Sequence, residues 1–417
     1  MMESDKASWL AVFKGRFVYG LVFLFPIAGV SVSHWFSGIF TVLVLVSLWD
    51  LLRTKLKGVT LAALFRDEKI WLWLCAAFFV VTIAAAWVNG WERAQNRTLG
   101  VDIRYLLVVP LFLMLRHYRY AWRYLLAGAV VAAAVLGGQA YYDIHVLGLA
   151  RAQGIYSPNL MGPVAALVAV WLMAGWSSLR PVRWLLPGLI VTALYAVVMS
   201  GSRGAYLGLV IMLLAWAVLY VKGRWKGLVL LLVFVVPLAI HHFVPSVQQR
   251  VSGVADEIHQ YFDELEKGNH FAAGSTAVRL EMWRAGWLVF QDAPLLGVGP
   301  GNYDKAVQAL VDKGEVAVEA AHHSHAHNAY IDIMVSRGLL GLALFMGMLF
   351  YPLYLFLKTF RQSPETAILG ILHIVGLAVF SLTDASTFIK GNFVSIFLLG
   401  LTIFYSGHLT RVKQVVE

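Results

Sequence analysis

The sequence predicts an all-α polytopic membrane protein of about 12 transmembrane helices, and three observations carry that prediction. Hydrophobic residues fill 60% of the 417 positions and charged residues only 13%, a balance outside that of soluble domains. The apolar residues fall in runs matching the roughly 20 helical residues that cross a hydrocarbon core of about 30 Å. The basic residues, 33 against 23 acidic, gather in short clusters between those runs. A net charge of +10 arranged that way reports membrane topology and excludes a nucleic-acid partner.

The runs lie at 17–33, 35–52, 70–88, 101–115, 122–142, 160–176, 184–200, 205–221, 227–241, 338–357, 366–384 and 392–408. The first follows a charged leader and is read as a retained helix, because so many spans follow it. Cys75, the single cysteine, lies inside the third run, so no disulfide or cysteine-based metal site forms within one chain. Basic clusters recur at every second connection: Lys14 and Arg16; Arg53, Lys57 and Lys69; Arg116, Arg119 and Arg123; Arg180 and Arg183; Lys222, Arg224 and Lys226; Lys358 and Arg361; Arg411 and Lys413. By the positive-inside rule that side is cytoplasmic, and so are both termini. Trp87 and Trp91, near the outer end of the third run, suit either an interfacial aromatic belt or a stacking surface for sugars.

The connection after the ninth run is long, faces outward and carries 11 acidic against 6 basic residues. The chain therefore divides into spans one to nine (1–241), an outer helical domain (242–337), and spans ten to twelve with a short tail (338–417). In the outer domain Val247, Val251, Val254, Ile258 and Phe262 recur at spacings of three and four, which predicts an amphipathic helix over 246–266. Ser275 or Thr276 is placed to cap a second helix running through Arg279 and Trp283 toward Pro294, and Asn302 a third.

Chemistry has few places to live in such a chain. Ser202-Arg203-Gly204 holds a guanidinium at the outer surface on a turn of small residues, where backbone N–H groups can approach an anion beside it; a snorkelling arginine would leave the same trace. Arg279 lies early in its helix with no i,i+4 acid, and Arg284, five residues on, points about 140° away from it. His322, His323, His325 and His327 form a cluster that invites a metal. It lacks a His-x-x-x-His pair on a helix, any cysteine and any acid inside the cluster, so no metal ligation is expected. His327 precedes a helix starting at Asn328-Ala329-Tyr330-Ile331, whose dipole opposes protonation of the imidazole and keeps it available as a base.

His327-Asn328 followed by Gly338-Leu339-Leu340-Gly341, together with Ser202-Arg203-Gly204 and the Arg-x-x-x-Trp of Arg279 to Trp283, resembles the O-antigen ligase family. The resemblance covers the architecture as well, with twelve spans and one large outer loop after the ninth. It implies a metal-independent, inverting glycosyltransferase of the GT-C type in the bacterial inner membrane, with a periplasmic active site and no cofactor. The donor would be a polysaccharide on undecaprenyl diphosphate and the acceptor a sugar hydroxyl of lipid A-core, both held among membrane lipids. Carried over by position, Arg203 and Arg279 would bind the donor and His327 would be catalytic; Arg284, His325 and Tyr330 are further substrate-binding candidates.

O-antigen polymerases and protein O-oligosaccharyltransferases share the motifs and the donor and differ in acceptor. A twelve-span secondary transporter is the alternative of another class. Transporters tend toward two matching halves and ionisable residues near the midplane, whereas here the loop divides the spans nine to three and the charges gather at the outer rim.

Overall fold

A computed structural model describes residues 2–55, 66–91, 93–223, 225–243, 245–270 and 272–416; Lys57 and Arg224 of the basic clusters lie outside them. Every regular element among the described residues is helical. The α-helices are α1 (Met2–Ser31), α2 (Trp35–Lys55), α3 (Arg66–Val88), α4 (Arg93–Leu115), α5 (Ala121–Tyr141), α6 (Pro158–Ala174), α7 (Leu186–Ser200), α8 (Arg203–Leu219) and α9 (Trp225–Phe243). They continue with α10 (Pro245–Glu266), α11 (Ser275–Asp292), α12 (Tyr303–Asp312), α13 (Ala329–Lys358), α14 (Pro364–Thr383), α15 (Ser386–Ile389) and α16 (Gly391–Val416).

Eight of these, α1 to α5, α13, α14 and α16, are long and apolar enough to cross a membrane, and α6 to α9 are shorter apolar helices at the positions of spans six to nine. The chain is a multi-pass membrane protein. A helix that is hydrophobic around its whole circumference must be surrounded by other helices or by lipid. The bundle shows both cases: 94% of the α16 span and 78% of the α14 span are buried inside it, against 28% for α1. Helices α14 and α16 thus form the centre, and α8 and α6 pack on α14.

Two glycines set the geometry near the site. A Cβ on Gly204 would lie 2.0 Å from Thr383 Oγ1, so the bare backbone there lets the end of α14 come against the start of α8. Gly204→Ala is expected to push the two helix ends apart and lower stability by about 1–3 kcal/mol, seen as an earlier melting transition of the purified protein in detergent; an unchanged transition would show that α14 yields freely. Gly338 breaks α13 at φ 63° and ψ −163°, a conformation that favours glycine. Across this break Leu339 N–H donates to Pro294 O (2.8 Å) and Val298 N–H to Val335 O (2.9 Å), so the turn after α11 is zipped onto the opened helix.

One end of the bundle gathers the basic clusters with their acids: Lys14 with Asp50, Lys413 and Arg116 with Glu68 (3.1 and 3.5 Å), and Arg411 with Glu365 (3.7 Å). The starts of α8 and α13, the end of α14 and helices α10 to α12 occupy the other. At that second end α10 follows the amphipathic pattern, although the side chains of Val247 and Val251 are outside those described. The helix caps differ from expectation. Neither Ser275 nor Thr276 caps α11 through its own side chain; Glu257 of α10 accepts from Thr276 N–H at 2.6 Å, so the cap comes from the neighbouring helix. Asn302 occupies the N-cap of α12 but turns its amide back to Val298 O (2.8 Å).

Candidate functional site

Five segments far apart in sequence bring polar side chains to this second end of the bundle. Arg203 is the first residue of α8, whose N-cap Ser202 accepts from Ala205 N–H (3.4 Å). A cation at a helix N-terminus stands against the dipole, so this guanidinium is held there at some cost. It donates to Thr276 Oγ1 at 3.0 Å, which ties the start of α8 to α11. Arg279, one turn along α11, is largely buried. Burial is the first cause lowering its pKa from the usual arginine value; Asp384 opposes that shift and the nearby charge of Arg203 adds to it.

Arg203 and Arg279 line one cavity of about 210 Å³. Arg151 and Asn159, from the connection of α5 to α6 and the start of α6, also line it, as do Asp384 at the end of α14 and the apolar Pro163, Phe380 and Phe393. Arg151 is fixed by its own contacts, with Nε donating to Ser200 O (2.7 Å) and a terminal nitrogen to Asn159 Oδ1 (3.1 Å). Arg279 and Ser275 are shared with a second cavity of about 310 Å³ that reaches His323 and His327. Arg279 is therefore the wall between a guanidinium-rich chamber and an imidazole-rich one.

The histidine segment is held from both sides. Trp283 Nε1–H of α11 donates to Ala326 O at 3.0 Å, which explains in physical terms the spacing of Arg279 and Trp283: one turn of the same helix presents a cation and an anchor for the histidine backbone. Asn328 then caps α13, its side chain accepting from Tyr330 and Ile331 N–H (3.0 and 3.3 Å). Between these two anchors His327 adopts φ +49°, a left-handed conformation uncommon outside glycine and found most often where structure over-determines it.

His327 Nδ1 lies 3.8 Å from Asp384 Oδ1. Burial is the first cause depressing the imidazole, followed by neighbouring His325, with Asp384 opposing; together they bring its pKa to about 4. The ring is thus held neutral, and desolvation is the leading reason. His325, 4.4 Å from His327 between ring centroids, is likewise lowered, mainly by burial.

Arg203, Arg279 and His327 come together, with His325 against His327. The other two candidates are engaged elsewhere. Arg284 pairs with Glu281 (3.0 Å) and contacts Glu315 O, while Glu281 also accepts from Tyr261 O–H (2.6 Å) and Ala317 N–H (2.8 Å), a network that knits α10, α11 and the following loop. Its place lies off both cavities, as the rotation along α11 required. Tyr330 turns inward to donate to Ala378 O (2.9 Å) and packs on Phe345. Asp384 and Arg151 were not singled out from sequence. The only local signal for Asp384 is an acid closing an otherwise apolar run, and its role emerges when α14 packs beside α8.

The fold and this pocket define a multi-pass helical membrane protein with clustered guanidiniums and a neutral imidazole at one end of its bundle. Residues 188–346, which contain Arg203, Arg279 and His327, match the family model described as O-antigen ligase. An uncharacterized protein of Haemophilus influenzae is 25% identical over 314 residues, covering 72% of this chain and 77% of that protein.

Proposed function

We propose that the chain is an O-antigen ligase that joins a polysaccharide carried on undecaprenyl diphosphate to a sugar hydroxyl of lipid A-core. It is a GT-C-type inverting transferase in the inner membrane, with both termini cytoplasmic and the outer helical domain periplasmic. The observation that carries this reading is the sharing of Arg279 between the cavity lined by Arg151 and Arg203 and the cavity that reaches His327. A diphosphate held in the first chamber puts its sugar toward the second.

The chemistry follows from the groups present. Each guanidinium offers a fixed fork of donors to phosphate oxygens, and a charge so placed at a partly dry boundary is stronger than in water. As the bond between the anomeric carbon and the donor phosphate oxygen breaks, its electron pair stays on the diphosphate, where Arg203 and Arg279 stabilise it. The acceptor hydroxyl oxygen forms the new bond from the opposite face while its proton passes to His327. Asp384, 3.8 Å from Nδ1, supports the imidazolium that results. The two arginines do the work that a divalent ion does in many glycosyltransferases. The polyprenyl tail lies among the spans.

The test is reconstitution of the purified protein with a lipid diphosphate glycan and purified lipid A-core, with and without chelator, and polymer on the core resolved by gel. Polymer appears on the core and survives chelation. Donor consumed into longer lipid-linked glycan, with none on the core, would make the protein a polymerase instead. Arg203→Ala and Arg279→Ala are each expected to slow transfer by about 10²–10³-fold; a normal ladder from either removes that residue from the site.

Acidity gives a second check. A base must be neutral, so the rate holds from neutral pH downward and falls as pH drops through about 4, where His327 takes a proton. Because Asp384 raises that pKa, Asp384→Asn moves the acid limb lower while reducing the maximal rate. A limb that moves upward would show that the carboxylate does not face the base.

A further inference from the structure

We propose that His325, His327 and Asp384 form a binding site for Zn²⁺, and that the ion, once bound, switches off the base. One ligand atom from each of the three residues lies within 4.8 Å of the others. The histidine cluster carries no acid of its own along the chain. In space α14 supplies the missing carboxylate, 57 positions beyond His327.

The second observation is the state of the ring nitrogens. His327 Nδ1 and His325 Nε2 are both buried and make no hydrogen bond, an unusual condition for polar atoms in a folded protein. His325 Nδ1 is already engaged by Ser324 Oγ at 3.2 Å, which leaves Nε2 as the nitrogen with an unmet valence. Ser386 N–H donates to Asp384 Oδ1 at 2.8 Å and fixes the carboxylate. Two imidazoles and a carboxylate are a donor set suited to zinc, and bonds of about 2.0–2.2 Å in a tetrahedron put ligand atoms about 3.4 Å apart. The three groups therefore close by little more than an ångström, within reach of side-chain rotation.

The consequence for activity rests on the preceding reading of His327 as the base. A neutral imidazole carries one proton on its two nitrogens. If Nδ1 ligates zinc, the proton must sit on Nε2, and no lone pair remains to accept the acceptor hydroxyl's proton. The same ion takes the Asp384 oxygen that would otherwise face the imidazolium. Magnesium, which prefers an octahedron of oxygens, does not suit this set.

The protein is purified in detergent through a tag free of histidine, and zinc binding is measured by calorimetry and by metal analysis after desalting, with no substrate present. One zinc per chain is expected, with affinity lowered about tenfold or more by His325→Ala and by Asp384→Asn, and unchanged by His322→Ala at the exposed end of the cluster. Absence of stoichiometric zinc, or equal affinity in monodisperse His325→Ala and Asp384→Asn proteins, overturns the site. In the reconstituted assay saturating ZnCl₂ is expected to lower transfer about tenfold or more, with recovery on chelation and no effect of MgCl₂; transfer unaffected at full occupancy overturns the switch. A chain that binds zinc in this way yet transfers no glycan sinks the ligase reading and leaves the site standing.

Discussion

His327→Ala is expected to lower polymer transfer to lipid A-core by about 10²–10⁴-fold, the contribution typical of a positioned general base, without removing the protein from the membrane. The surroundings of the residue survive the change. Trp283 still holds Ala326 O, and Asn328 still caps α13, since neither contact uses the imidazole. One complication is the backbone: at φ +49° alanine is strained where histidine is already uncommon. His327→Asn removes the complication, because asparagine tolerates the left-handed region well and cannot take up a proton. The asparagine variant should therefore express and melt like the parent and the alanine variant somewhat below it, while both lose the glycan ladder in cells and the rate in the reconstituted assay. If the asparagine variant keeps a rate within about tenfold of the parent, His327 positions the acceptor and the proton leaves by another route.

The parts of this site that sequence alone made legible are those written contiguously. Ser202-Arg203-Gly204, Arg279 with Trp283, and His327-Asn328 each lie within one helical turn or one helix start, so cap chemistry and rotation per residue place them without knowledge of the rest. The same rotation took Arg284 away from Arg279, toward Glu281. The twelve apolar runs were legible for the same reason, since length and hydropathy are local, although α6 to α9 are shorter than the other spans. What stayed hidden depends on packing between distant segments. Asp384 meets His327 where the end of α14 packs closely on the start of α8 at Gly204. Glu257 caps α11 from another helix, which no local pattern of Ser275 and Thr276 reveals. An acid-free histidine cluster acquires its acid in three dimensions.

The strongest hidden pairing lies deeper in the bundle and carries the second large prediction. Arg337 is 1% exposed and pairs with the fully buried Asp102 of α4, while its Nε–H donates to Thr82 Oγ1 (2.9 Å) and NH1 to Ser336 Oγ (2.6 Å). The Phe388 ring lies 4.6 Å from the guanidinium carbon. Removing one charge of such a pair strands the other away from water, so Arg337→Leu is expected to destabilise the protein by about 3–5 kcal/mol. Arg337→Leu combined with Asp102→Leu should recover much of that loss, because no charge is then left unpaired and only the difference in packing remains. Thermal melts of the two proteins in the same detergent, with size-exclusion profiles, distinguish the cases; a single variant that melts with the parent would show that water reaches Asp102. The pair also bears on the site. Arg337 stands immediately before the break at Gly338, so it fixes the short helical segment from Ala329 to Arg337 against α3 and α4 independently of the span that follows. That segment begins at the cap that holds His327. A double variant that is stable yet slow in transfer would therefore place the value of this buried ion pair in aiming the imidazole, where the stability it contributes is secondary.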